Sequence, residues 1–123
     1  MRPSIPVLLA AVFLLSVSAL DGGETLRLKV SPAVSRAPGL LTVRLNIAAA
    51  PDNRFVQVVA ESPDFYTSSQ VPVTGEETPV RVVEFRNLPT GVYQVTGVLV
   101  GVHGPKGMAS GIAKIVASVG SLQ

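Results

Sequence analysis

The chain has 123 residues, Lys+Arg 10 against Asp+Glu 8 for a net charge of +2, one histidine, no cysteine and no tryptophan. Without cysteine there are no disulfides, thiol nucleophiles or thiolate metal sites, and a lone imidazole removes most metal-site and many catalytic constellations. The near-balance of charge argues against nucleic acid or an acidic membrane as partner, because each asks for a clustered basic surface.

The first predicted element is a targeting segment. Met1-Arg2-Pro3-Ser4 leads into an apolar run from Ile5 to Leu15, followed by Ser16-Val17-Ser18-Ala19. One positive charge, a short apolar stretch and small residues before a cut form a secretory signal pattern, with cleavage after Ala19. The run is shorter than the about 20 apolar residues of a spanning helix, so no membrane span is expected after cleavage. No cysteine follows it, which excludes a lipoprotein anchor. Residues 1–19 are thus expected to be a signal peptide. Residues 20–123 are expected to form one exported domain, periplasmic or secreted. An exported domain without cysteine fits a bacterial envelope better than a eukaryotic secretory route.

The exported part reads as strands. Leu26, Leu28 and Val30 alternate with Arg27 and Lys29, and the Ala37-Pro38-Gly39 turn follows. Leu41, Val43, Leu45 and Ile47 then alternate with Thr42, Arg44 and Asn46 in the cleanest period-2 stretch of the chain. Pro51-Asp52-Asn53 is a turn, since Pro presets φ and Asp and Asn bond their own backbone. Phe55 to Glu61 buries Val56, Val58 and Ala60. Ser68 to Val73 carries Pro72, which cannot donate to a ladder, so it is an edge strand. Val80 to Arg86 and Gly91 to Val102 follow, the latter with Tyr93, Val95 and Leu99 on one side. Gly104-Pro105-Lys106-Gly107 reads as a hairpin loop. Met108 to Val119 fits either period. The preceding hairpin signal and Gly111, which weakens a helix by about 1 kcal/mol against Ala, favour a strand. Short strands at this spacing predict an all-β, seven-stranded antiparallel sandwich.

The stretch from Phe85 to Val95 contains Leu88-Pro89, then Gly91, then Tyr93. This resembles the corner between strands E and F of immunoglobulin-like and fibronectin type III-like domains. There a tyrosine ring packs in the core and its hydroxyl bonds upstream backbone. Transthyretin-like and carboxypeptidase regulatory-like domains share a similar run, so the motif specifies a sandwich before a family. From Thr25 to Ser118 the chain also resembles small exported bacterial proteins with one such domain, including a Ser-Ser pair, here Ser68-Ser69. The resemblance implies fold and compartment and carries no functional residue across.

Chemistry-bearing residues are sparse. A serine nucleophile needs a histidine within about 3 Å and an orienting carboxylate. His103 has Ser62, Ser68, Ser69 and Ser110 to choose from, and none sits in a nucleophile elbow. Asp52, Asp64, Glu76 and Glu77 do not follow a calcium-loop spacing. No enzyme, metal or cofactor is expected. In the predicted topology the B–C, C′–E and F–G loops meet at one end, gathering Asp52, Asn53, Arg54, Glu76, Glu77, His103 and Lys106. Polar loops on a rigid sandwich suit recognition of another protein or a cell-envelope component. A solvated loop end with no partner reads equally from the same residues. Two rival functions remain. One is a structural or assembly subunit using its sheet edges. The other is a small glycan-binding module built on Phe65 and Tyr66, although adjacent residues on a strand face opposite ways.

Overall fold

The computed structural model of the chain describes residues 25–74 and 80–118. The expected signal peptide lies outside the described residues, as do Glu76 and Glu77. Eight strands follow in order: β1 Leu26–Ser31, β2 Val34–Arg36, β3 Gly39–Ile47, β4 Asn53–Ser62, β5 Phe65–Pro72, β6 Val80–Leu88, β7 Gly91–Gly101 and β8 Gly104–Val116. They form a smaller sheet, β1-β3-β6, and a larger one, β2-β8-β7-β4-β5. Among the described residues no helix is long and apolar enough to cross a membrane.

Two expectations are corrected here. Eight strands form where seven were expected, and the larger sheet is mixed, because β2 runs parallel to β8 from Val34↔Lys114 to Arg36↔Val116. Three residues between Pro32 and Pro38 are too short to show alternation, so β2 has no signature in the sequence. The β7–β8 turn also lies earlier than expected. Gly101 pairs with Gly104, leaving Val102 and His103 as the turn, and Gly104 adopts a φ of 112° that a side chain would resist. Pro105 and Lys106 belong to β8, and a register shift after Leu99 absorbs the extra residue.

Alternation explains the core. Leu41, Val43, Leu45 and Ile47 from β3 are buried against Val56, Val58 and Ala60 of β4 and Tyr93, Val95 and Leu99 of β7. The last segment is a strand, with Ala109, Ala113 and Ile115 inward and Ile112 outward. Gly97 on β7 leaves room for Leu26, Leu28 and Leu45 of the facing sheet, so small residues on one sheet meet large ones on the other.

The corner after β6 has the geometry that its residues imply. Asn87 takes a φ of 59°, a conformation asparagine tolerates better than most residues. Leu88 turns into the core, and the Tyr93 hydroxyl donates to the Pro89 carbonyl at 2.7 Å. The Tyr93 ring is fully buried and meets Phe65 edge-on, with centroids 6.4 Å apart.

Candidate functional site

The β3–β4 turn and the β7–β8 hairpin meet at one end of the larger sheet. Asn53 opens β4 and is 1% exposed, the one polar residue among the described buried side chains. Its Nδ2 donates to the Ala48 carbonyl at 3.0 Å, and its backbone N–H donates to the Ala50 carbonyl at 3.0 Å. Its Oδ1 accepts from Lys106 Nζ at 2.6 Å, so the buried amide is satisfied at both ends. The same ammonium donates to Asp52 Oδ1 at 2.8 Å. Val102 N–H donates to the Asp52 carbonyl at 3.0 Å, which adds a backbone link between turn and hairpin. The hydrogen bond from Lys106 holds the Asp52 carboxyl below its ordinary value, with a smaller electrostatic pull from His103.

Gly101 makes this convergence possible. A Cβ there would stand 2.6 Å from Lys106 Cδ and 2.9 Å from the Asp52 carbonyl oxygen. Backbone cannot retreat as a side-chain tip can, so only glycine lets turn and hairpin close on each other.

Of the predicted site residues, the structure brings together Asp52, Asn53, His103 and Lys106. Arg54 sits beside them, its Nη1 donating to the Asn53 carbonyl at 2.9 Å. Glu76 and Glu77 lie outside the described residues. The group is divided in kind. Asn53 and Lys106 face each other in a closed bonding set, whereas Arg54, Val102 and His103 are exposed. Sequence reasoning missed Gly101 and Val102. The alternation of β7 carried a signal for Gly101, since its position falls on the buried side with Tyr93, Val95 and Leu99.

Phe65 and Tyr66 open β5, directly after the turn at Pro63 and Asp64. Phe65 packs inward on Tyr93, and Tyr66 is 62% exposed, so the pair does not form a two-ring platform.

No family model matches the chain, and no curated protein matches it. Solved structures match in fold. A superoxide reductase (neelaredoxin) from Ignicoccus hospitalis is 14% identical, with 77% of this chain and 81% of that chain covered and a TM-score of 0.50. The CARDB domain of a Pyrococcus furiosus protein, in complex with di-metal ions, is 14% identical over 76% of this chain and 93% of its own, with a TM-score of 0.50. At such identities the likeness is one of fold: a small all-β, sandwich-like domain. Among the described residues no group of three or more His, Cys, Asp or Glu side chains is placed to hold a metal.

Proposed function

We propose that the chain is an exported, non-catalytic binding module of immunoglobulin-like type. Its contact surface is the end where the β3–β4 turn meets the β7–β8 hairpin, and its partner is another protein or a cell-envelope component. One observation carries the reading: Lys106 bridges Asp52 and Asn53 across 2.8 and 2.6 Å and ties two loops into one body. A preorganised surface loses little freedom when it binds. On that body Arg54, Val102 and His103 are exposed together, offering a cation, an apolar side chain and an imidazole. The Tyr93–Pro89 bond supports the immunoglobulin-like assignment, since that link is the mark of the E–F corner.

The test is capture from an envelope extract by the protein and by its Arg54→Ala/His103→Ala variant. These two side chains are exposed, so the variant keeps its melting temperature. A partner held by the native protein and lost by the variant supports the loop end. Equal retention by both removes it.

A structural or assembly role through sheet edges is the second reading. It is favoured by β5, an eight-residue edge strand with no charged side chain, since charge is a common guard against edge pairing.

A further inference from the structure

Among the described strands β1 and β6 edge the smaller sheet, and β2 and β5 edge the larger one. Three of these edges are guarded against pairing with another chain. β1 bears Arg27 and Lys29, and β6 bears Arg81, Glu84 and Arg86. β2 has three residues, ends on Arg36 and lies between Pro32 and Pro38. β5 instead runs for eight residues with no charged side chain. Its pairing with β4 fixes which of its backbone groups are left over. Ser62 and Phe65 flank the two-residue turn, and Val73 N–H donates to the Arg54 carbonyl at 3.0 Å, so the odd-numbered residues of β5 bond β4. The N–H and C=O groups of Tyr66, Ser68 and Gln70 therefore point away from the sheet, and no strand among the described residues meets them. Pro72 has the same parity, so its missing N–H costs the β4 ladder nothing and blunts the free edge only at its end.

We propose that β5 pairs antiparallel with β5 of a second copy, about a two-fold axis at Ser68, so that the two larger sheets become one. The proposal rests on the edge-assembly reading above and names the partner that reading leaves open. β5 itself supplies the reason for a second copy, because its residue types mirror one another about Ser68. In this register Ser68 faces Ser68, and Tyr66 faces Gln70 of the other copy. These are the positions with free backbone groups, so each pair exchanges both of its N–H···O bonds. The closer pairs between them set Thr67 beside Ser69 and Phe65 beside Val71 of the other copy, a hydroxyl pair and an aromatic–aliphatic pair of the kinds that stabilise neighbouring strands. Phe65 and Val71 are only partly buried against their own core, and the second copy covers more of each. Neighbouring registers lose this match. An axis at Thr67 sets Phe65 against Ser69, and an axis at Ser69 sets Tyr66 against Pro72, which has no N–H to give. The two-fold operation uses the same strand on both copies and leaves neither copy of β5 with a free partner edge. A contact one strand wide is small beside the about 1,000 Å² of a specific interface, so the dimer is concentration-dependent. It does not rest on the loop-end proposal.

Sedimentation velocity on the purified protein from micromolar to millimolar concentration should show a reversible monomer–dimer equilibrium. Ser68→Lys places two ammonium groups on the axis and weakens the dimer at least about tenfold. Gln70→Pro removes a donor that faces the other copy and none that faces β4, so it weakens the dimer while the circular dichroism spectrum stays native. Register is read by single cysteines in a chain that has none. Under mild oxidation Ser68→Cys should form a disulfide-linked dimer faster than Thr67→Cys or Ser69→Cys. Only at Ser68 does one residue face its own copy, at about 5.5 Å between Cα atoms. A monomer at every concentration, or a dimer that survives both Ser68→Lys and Gln70→Pro, overturns the proposal. Faster crosslinking through position 67 or 69 overturns the axis. The edge reading has its own readout. An envelope protein captured by a chain that stays monomeric alone, and lost with Gln70→Pro, keeps the edge and overturns the second copy.

Discussion

Single polar atoms hold the two ends of this domain, and each can be removed alone. Tyr93→Phe keeps the buried ring and deletes the bond to the Pro89 carbonyl, so urea unfolding should show a loss of about 0.5–1.5 kcal/mol. No loss would mean that the hydroxyl bond contributes nothing to the corner. At the opposite end, Asp52 has a folded-state pKa below its unfolded value. Its contribution is present above the ordinary carboxylate pKa and is lost as pH falls through the lowered folded one. Melting temperature should therefore drop on acidification below the ordinary aspartate range, and Asp52→Asn should flatten that part of the profile. A variant with an unchanged acid limb would show that the clamp is not the group that titrates. Gly101→Ala forces a methyl against the Asp52 carbonyl oxygen and should cost about 1–3 kcal/mol, read by chemical denaturation.

Strands show which parts of the fold were legible. β3 is plain in the sequence, because Leu41, Val43, Leu45 and Ile47 face a core that rewards a strict period of two. β2 is not, because its ladder partner Lys114–Val116 lies some eighty residues away and its own three residues carry no pattern. The β7–β8 turn was misplaced for a different reason. Gly104-Pro105-Lys106-Gly107 has turn chemistry, but the register shift spends it inside the strand. The site was half legible. Loop topology foretold that Asp52, Asn53, His103 and Lys106 would share an end, yet no local pattern signals the bond from Lys106 to Asn53, fifty-three positions earlier. Register also exposes a local conflict: Lys29 opposite Arg44 is a like-charge cross-strand pair. Lys29→Glu should raise stability by about 0.2–1 kcal/mol, seen as a higher denaturation midpoint, and a lower midpoint would show that the basic pair has a native partner.

At the scale of the whole molecule, two sheets share one core, so damage there is felt everywhere. Leu45 is fully buried, and Leu45→Ala should cost about 2–5 kcal/mol with loss of both sheets in a single transition by circular dichroism. Two separate transitions would mean that the sheets melt independently. Surfaces divide differently from the core. The smaller sheet carries Arg27, Lys29 and Arg44 outward, the larger sheet carries Glu61, Lys114 and, on β2, Arg36, and the loop end holds the Lys106 bridge to Asp52 and Asn53.

The parallel pairing of β2 with β8 has a consequence for the order of assembly. Among the described strands β8 is the last in the chain, and it lies between β2 and β7 in the larger sheet. A chain that leaves a ribosome or a pore N-terminus first shows β2 and β7 before their common neighbour. Neither can complete its ladder until Gly104–Val116 has emerged, so the topology delays closure of the larger sheet until β8 is through.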